Sequence, residues 1–292
     1  MGGVAWFSWP SLVQDLVFKI INFSMRRFDL NDTTFLIPVR IDSPIRHENI
    51  KLIIEFLISY FNTNIIVLEA YKKETIASKL SGQIQKFFIK DNNPVFYRSR
   101  FINIMGVMAT TPFMSIWDTD VLVEPKQIVE AVKLLRKNKA DLVYPYDGRF
   151  YYTNNEMRRL YIEFKDFSLM RRHLEEMTTH LEYYSGGGAF IVKRDSFYKA
   201  GMQNENFTSW GPDDKERIVR FSILNYAIEW INGPMYHLYH PRYMNSTWQE
   251  REIFKLQNEY LKIARMYPDE LKEYIDTWPH YKKLKENGLI NS

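Results

Sequence analysis

The sequence predicts an α/β protein with a mostly parallel sheet flanked by helices. Apolar, β-branched runs at 33–41, 64–70 and 112–117 have the length and composition of buried strands. Segments with the apolar spacing of helices lie between or after them, at 47–61 and 125–139. Alternation of strand and helix along a chain is typical of a doubly wound, parallel sheet of the nucleotide-binding kind.

The elements follow in order along the chain. The first strand ends near Pro38, and a helix candidate at 98–110 precedes the strand at 112–117. The helix at 125–139 begins with proline, which is favoured in a first helical turn, and a further strand is expected at 140–146. Between 146 and 185 the chain becomes aromatic, charged and partly helical, which indicates an excursion from the sheet. Charged amphipathic helices are expected from about residue 247 to the tail.

Composition limits the function classes. Hydrophobic residues make up 46% and charged residues 25% of 292 residues, as in a globular enzyme. The net charge of +4 does not indicate nucleic-acid binding, but it suits an anionic substrate or an anionic membrane surface. The chain has no cysteine, which excludes disulfides and thiolate metal sites and is compatible with a reducing compartment.

The N-terminal segment, residues 1–30, is apolar but interrupted by Pro10, Asp15 and Lys19. Its longest uncharged stretch is too short to span a bilayer. Two interpretations remain: a helix packed on the domain, which we favour, and an amphipathic helix in a membrane interface that ends at Arg26 and Arg27.

Two carboxylates, Asp118 and Asp120, directly follow the strand at 112–117. Residues two apart in an extended chain face the same side, and ligands of open α/β sheets bind at the carboxyl ends of strands. A divalent cation would relieve the repulsion between the two anions. The alternative is a turn or a helix cap, because D-x-D is a frequent sequence.

His237 and His240 are two of only six histidines. Imidazole is a good ligand for ions of the manganese and zinc class, although histidines in an aromatic-rich strand also form ordinary hydrogen bonds. Together with the aspartate pair, they favour a metal site built from distant segments. One carboxylate and two histidines would leave coordination positions open for phosphate oxygens.

The stretch WGPDD (210–214) joins a rigid aromatic turn to a predicted helix. Asp213 and Asp214 at the start of a helix are favoured by its dipole, and a carboxylate beside a tryptophan in a cleft is also suited to act as a general base. Both interpretations can hold together.

Arginines and glycines supply the remaining candidates. Arg40, Arg46 and Arg98 lie at or near strand ends, where guanidinium groups pair with phosphates, although a single arginine is more often a surface residue. The glycines of SGGGAF (185–190) permit close backbone approach to a ligand. The sequence contains neither G-x-G-x-x-G nor G-x-x-x-x-G-K-[ST], which argues against dinucleotide and P-loop binding.

The order of these motifs resembles the inverting, metal-dependent glycosyltransferases of the GT-A fold. It is most similar to the β-1,4-galactosyltransferase-like group, and to bacterial family 2-type glycosyltransferases. The resemblance extends from about Thr33 to Arg242. The similar stretches are IPVRIDSPIRHEN, FYRSRFIN, DTD, GGAFIVKRDSF, NENFTSWGPDDKERIVR and HLYH.

The resemblance implies a GT-A sheet, a UDP-sugar donor and Mn²⁺ or Mg²⁺. It places the donor and the sugar at Pro38, Arg40, Arg46, Phe96, Arg98, Asp118, Gly187, Gly188, Trp210 and Gly211. The metal ligands would be Asp120, His237 and His240. Asp214 would be the general base, and Asp213 would orient hydroxyl groups.

The chain also departs from that family. Pro212-Asp213-Asp214 replaces a frequent Gly-Glu-Asp, and Ser185 stands about where the family has a larger residue that restricts the sugar's 2-substituent. UDP-Gal, UDP-GalNAc and UDP-GlcNAc therefore all remain candidate donors. The family's animal members are membrane-anchored and contain cysteine, so a bacterial, cytoplasmic enzyme of surface-polysaccharide synthesis fits better. It would act on a glycan or lipid-linked acceptor and could contact the inner face of the membrane through residues 1–30.

The resemblance also suggests a division of the chain. We expect a GT-A domain at 31–245, an acceptor-side insertion at 146–185 and a C-terminal helical extension at 246–292. Two other functions remain open. One is a nucleotide-sugar-binding protein of this fold without catalysis, and the other is a metal-dependent nucleotidyltransferase or hydrolase, which the missing glycine-rich basic loop disfavours.

Overall fold

The computed structural model describes residues 27–76, 84–181, 184–241 and 250–290. The predicted N-terminal helix lies almost entirely outside the described residues, and so does Arg242. Within the described ranges, none of the helices has both the length and the apolar character needed to cross a bilayer.

The described residues form eleven strands and ten α-helices. The strands are β1 (Phe28–Val39), β2 (Phe61–Tyr71), β3 (Ile84–Lys90), β4 (Phe113–Trp117), β5 (Val121–Leu122), β6 (Leu142–Tyr144), β7 (Phe150–Tyr152), β8 (Thr178–Leu181), β9 (Ala189–Lys193), β10 (Ile228–Trp230) and β11 (Met235–His237). The helices are α1 (Pro44–Tyr60), α2 (Arg98–Met108), α3 (Pro125–Arg136), α4 (Asn155–Phe164), α5 (Phe167–Arg172), α6 (Arg194–Lys199), α7 (Asp213–Ile223), α8 (Glu250–Ala264), α9 (Pro268–Asp276) and α10 (Pro279–Glu286).

The main sheet has seven strands in the order β10-β6-β9-β4-β1-β2-β3. β1 is parallel to both β2 and β4, and the pairs β2–β3 and β6–β10 are also parallel. β9 runs antiparallel to both of its neighbours, β4 and β6. The predicted fold class is therefore confirmed: a mostly parallel sheet flanked by helices.

A second sheet, in the order β5-β11-β7-β8, lies beyond the end of β4. Its strands β7 and β8 belong to the segment 146–185, where the sequence indicated only partly helical structure. β11 pairs with β5 and β7, so His237 lies opposite Val121 on one side and Tyr152 on the other. The second sheet thus brings His237 next to the residues that follow β4.

The amphipathic pattern of α3 shows how the helices cover the main sheet. Its buried face carries Ile128, Val132 and Leu135, whereas Lys126 and Lys133 are exposed. Burial of a leucine- or isoleucine-sized side chain stabilises the folded state by roughly 1.5–3 kcal/mol. The fully buried strands β4 and β6 accordingly contribute the centre of the core.

The C-terminal helices pack beside the loop that leads into α7. Leu256 of α8 is almost fully buried, and it would meet a Cβ atom added to Gly211 at 2.9 Å. Glu259 accepts hydrogen bonds from the amides of Asn204 and Asn206 at 2.8 and 2.9 Å. These contacts hold the loop that carries Trp210.

Helix α1 begins with a cap that also fixes a residue of the predicted site. The Ser43 hydroxyl accepts a hydrogen bond from the backbone N–H of Arg46 at 3.2 Å, and Pro44 follows in the first turn. We expect Ser43→Ala to lower the free energy of unfolding by about 1 kcal/mol, measured by urea denaturation, because an N–H at the helix end loses its partner. Ser222→Ala removes an exposed helix serine and is the control. An equal effect of the two substitutions would contradict the role of the cap.

Candidate active site

A cleft of about 170 Å³ opens at the carboxyl ends of β1 and β4, where an open α/β sheet binds its ligands. The predicted residues that line it are Pro38, Arg40, Arg46, Phe96, Arg98, Asp118, Asp120, Trp210, His237 and His240. The other predicted residues do not line it: Gly187, Gly188, Gly211, Asp213 and Asp214. Gly188 is hydrogen-bonded to Asp118 of the lining, and the charges of Asp213 and Asp214 act on Arg98. Sequence segments far apart in the chain are thus brought to one place.

Asp120, His237 and His240 form a cluster whose ligand atoms all lie within 4.8 Å of one another. The Asp120 carboxylate oxygens are 3.4 Å from His237 Nε2 and 3.2 Å from His240 Nε2. Neighbouring ligands of an octahedral ion with bonds of about 2.1 Å are separated by roughly 3 Å. The spacing and the donor types therefore fit a divalent metal ion that accepts imidazole as well as carboxylate ligands.

Hydrogen bonds prepare His240 for coordination. Its Nδ1 lies 2.9 Å from the carbonyl of Pro241, so a ring proton on Nδ1 would have an acceptor while Nε2, which faces Asp120, coordinates a bound ion. Burial alone would raise the pKa of Asp120, but His237 and His240 in their protonated forms, together with Arg46, hold that pKa well below its usual range. Asp120 is therefore ionised, as a metal ligand must be.

Arg46 stands beside this cluster. Its guanidinium donates to Asp42 at 2.9 Å and to Asp120 at 3.2 Å, and it lies 3.3 Å from Nδ1 of His240. Asp42 was not singled out in the sequence, although its spacing four residues before Arg46 is the spacing of a helical ion pair.

Asp118 and Asp120 are held by different partners, and Asp118 does not belong to the carboxylate–histidine cluster. β4 ends at Trp117, so the two aspartates lie in a turn and do not face one side of a strand. Asp118 pairs instead with Arg98, whose Nη2 and Nε lie 2.6 and 3.0 Å from the same carboxylate oxygen. The backbone N–H of Asp118 donates to the carbonyl of Gly188 at 2.9 Å, which ties the glycine turn to the cleft.

Arg40 lines the cleft, but its guanidinium is engaged within the protein. It is buried and donates to Asp91 at 2.7 Å and to the carbonyls of Ala70 and Asn93 at 3.1 and 2.9 Å. The ring of Phe96 lies 5.3 Å from the guanidinium carbon. Arg40 thus holds the wall that carries Phe96, and direct contact with a phosphate stays a prediction.

Asp213 and Asp214 form the first turn of α7, after Pro212 at the N-cap position. Asp214 is held by Arg217, whose Nη2 lies 2.6 Å from Oδ1. The other oxygen, Oδ2, lies so close to Gly187 that a Cβ atom there would be only 3.0 Å away. One oxygen of Asp214 is therefore fixed by a buried cation, and the other faces a wall where a larger residue would crowd it.

The charge of Asp214 also influences the ionisation of Asp213. Burial and the adjacent charge of Asp214 raise the pKa of Asp213 to about 7. A carboxyl with a raised pKa stabilises the folded protein while it is protonated, so this stabilisation is lost as the pH rises through about 7.

Asp213→Asn mimics the protonated acid and removes this pH dependence. We therefore expect the melting temperature of the variant to exceed that of the wild type by more at pH 8 than at pH 5. Thermal unfolding at the two pH values measures the difference. The same gap at both values would show that Asp213 does not titrate in this range.

Tyr152 and Thr153 belong to the site although the sequence did not indicate them. The ring of Tyr152 lines the cleft and lies 4.7 Å from the ring of His237, and the N–H of Thr153 donates to the carbonyl of His237 at 2.9 Å. Both residues come from the aromatic segment 146–185, where many similar residues conceal the two that contact His237.

No family model and no curated protein matches the sequence. Among solved structures, the crystal structure of GalNAc-T7 with UDP, GalNAc and Mn²⁺ is similar, with a TM-score of 0.50 and 12% sequence identity. The match covers 87% of this chain and 54% of the other, so this chain spans about half the length of that structure. At this identity the likeness shows the fold, and the fold of this chain is GT-A.

Proposed function

We propose that the protein is a metal-dependent, inverting glycosyltransferase. It moves a hexose or an N-acetylhexosamine from a UDP-sugar to a hydroxyl group of a glycan or lipid-linked acceptor. The observation that carries the proposal is the cluster of Asp120, His237 and His240 at the carboxyl end of a GT-A sheet. The solved structure of similar fold contains UDP and Mn²⁺, which supports the choice of donor and metal.

Asp120, His237 and His240 would hold the ion, which when bound neutralises the charge that develops on the leaving diphosphate. Pro38 and Phe96 would pack against the uridine. Arg98, which is partly exposed in the cleft, is placed to bind phosphate or sugar oxygens together with Asp118.

Asp214 would act on the acceptor. Its carboxylate takes the proton of the acceptor hydroxyl as the oxygen forms a bond to the anomeric carbon, and the bond from that carbon to the UDP oxygen breaks. A single displacement inverts the anomeric configuration and requires no carboxylate nucleophile. Asp213 would orient a hydroxyl group of the donor or acceptor.

The donor sugar faces Ser185 and the glycine turn in this proposal. A small residue at this position leaves room for a 2-acetamido group, so UDP-GalNAc and UDP-GlcNAc join UDP-Gal as candidates. We place the chain near the β-1,4-galactosyltransferase-like group and the bacterial family 2-type enzymes on the strength of the motif order. The catalytic domain would comprise residues 31–245, with the helices at 246–292 as an extension.

The cellular role is part of the proposal. The cysteine-free sequence and the basic net charge support a bacterial enzyme of surface-polysaccharide synthesis that acts in the cytoplasm. Residues 1–30 would contact the inner face of the membrane, where lipid-linked acceptors are found.

Slow hydrolysis of the donor, in which water takes the place of the acceptor hydroxyl, tests the reaction without a known acceptor. The protein is incubated separately with UDP-Gal, UDP-GalNAc, UDP-GlcNAc and, as a control, GDP-mannose, with Mn²⁺ or with a chelator. We expect UDP release from one of the UDP-sugars that depends on Mn²⁺, and proton NMR should show the β-anomer of the sugar appearing first from the α-linked donor. Release of the α-anomer first, or no chelator-sensitive release from any donor, would contradict the proposal.

A further inference from the structure

His237 and His240 lie on one short stretch of chain. Side chains from other segments form hydrogen bonds with the backbone between them. Tyr239 lies between His237 and His240 along the chain. Its backbone N–H donates to the hydroxyl of Thr153 at 2.9 Å, and its carbonyl accepts from the side-chain amide of Asn49 at 3.2 Å. Both polar groups of this peptide backbone are therefore bound by side chains of other segments.

A buried arginine supports these hydrogen bonds. Arg158 of α4 donates from Nε to the amide oxygen of Asn49 at 2.8 Å and from Nη2 to Glu48 at 2.7 Å. With its amide group held at both ends, Asn49 has one orientation available to it. Arg158 thus acts on Tyr239 through Asn49.

These polar groups are buried, so each would destabilise the folded protein if it lacked a hydrogen-bond partner. Asn49 is 0% exposed, Thr153 3% and Arg158 4%. Burying an amide or a guanidinium is unfavourable without partners, so satisfied networks of this kind specify one geometry more than they add stability. The geometry specified here is the separation and direction of the two histidine ligands.

We propose that Thr153, Asn49 and Arg158 are positioning residues for the metal centre, so that helix α1 and the segment 146–185 together raise the metal affinity of the cleft. This inference rests on the proposed function, because it takes Asp120, His237 and His240 as the ligands. It assigns a role at the metal to a segment that the sequence suggested for the acceptor side. Hydrogen-bond partners in the shell outside a metal's ligands typically contribute 10–100-fold in affinity.

The test compares two buried threonines. Thr153→Val keeps the shape of the side chain and removes the hydroxyl that Tyr239 needs, whereas Thr153→Ser keeps the hydroxyl. The matched control is Thr63→Val, because Thr63 is equally buried and its hydroxyl donates to the carbonyl of Thr33 at 2.9 Å, in a strand away from the cleft. Mn²⁺ is titrated into each protein in the presence of UDP, and loss of the EPR signal of free Mn²⁺ reports binding. Thermal unfolding is recorded in parallel.

We expect Thr153→Val to weaken Mn²⁺ binding by about 10–100-fold and Thr153→Ser to keep most of the wild-type affinity. Thr63→Val should lose melting temperature without losing Mn²⁺ affinity. Asn49→Ala should weaken binding as well, and the double variant with Thr153→Val should lose less than the sum, because both act on the same peptide backbone.

Wild-type affinity in Thr153→Val, or equal weakening in Thr63→Val, would overturn the positioning role while leaving the metal centre in place. A wild-type protein that does not bind Mn²⁺ under these conditions would overturn the metal centre, and the proposed function with it. The two failures are therefore distinguishable.

Discussion

Asp214→Asn is expected to lower kcat by about 10²–10⁴-fold while leaving the Kd for the UDP-sugar within a few-fold of the wild type. Asparagine can still accept the hydrogen bond from Arg217 that fixes Asp214 at 2.6 Å, so the local structure is kept. What is lost is the ability to take a proton from the acceptor hydroxyl. Steady-state kinetics and calorimetric donor titration on the same preparations measure the two effects.

Asp213→Asn provides the comparison for this experiment. The two acids share the first turn of α7, and Asp213 has no ion pair with Arg217 among the described contacts. We expect a smaller loss of kcat in Asp213→Asn than in Asp214→Asn. The reverse order would transfer the role of base to Asp213, and an unchanged kcat in both variants would favour a binding protein without catalysis.

Replacement of a metal ligand should have the second large effect. Asp120→Ala and His240→Ala each remove one of the three proposed protein ligands, and we expect Mn²⁺ affinity to fall by more than the roughly 10–100-fold caused by losing an outer partner. Asp120 carries the negative charge of the cluster, so its loss should be the more severe. Mn²⁺ titration in the presence of UDP measures the affinity.

Asp32→Ala is the control for these variants. Asp32 is a surface carboxylate that pairs with Arg136 at 2.7 Å, outside the lining of the cleft. Its removal should leave Mn²⁺ binding unchanged. Wild-type affinity in both Asp120→Ala and His240→Ala would show that the ion, if bound, has other ligands.

The fold could be predicted where elements are long and periodic. Alternation of apolar runs with amphipathic segments gave β1, β2, β4 and the helices between or after them, because each of these elements carries its own pattern. β7, β10 and β11 have three residues each, too few to establish a period. The strand β3 was also missed, since its lysines interrupt the apolar run at one edge of the sheet.

Site residues could be predicted where they form a motif within a short stretch of sequence, but their partners in distant segments could not. Asp118 and Asp120 were visible as a pair after a strand, but their separate partners, Arg98 and the two histidines, depend on the turn that follows β4. The expectation that both carboxylates face one side of a strand was wrong for that reason.

Contacts between distant segments left no trace in the sequence. The hydrogen bonds of Asn49 with Arg158 and with Tyr239 join residues 109 and 190 positions apart. An asparagine in the middle of a helix resembles any polar surface residue until the tertiary structure buries it. The hydrogen bonds that hold the backbone between His237 and His240 could therefore be identified only from the structure.

The most direct test of the central claim is calorimetric titration of UDP-Gal, UDP-GalNAc and UDP-GlcNAc into the protein, with Mn²⁺ and with a chelator. We predict that at least one UDP-sugar binds with Mn²⁺, that the chelator weakens this binding strongly, and that Asp120→Ala reproduces the effect of the chelator. No binding of any UDP-sugar in either condition would contradict the donor assignment and leave only the GT-A fold.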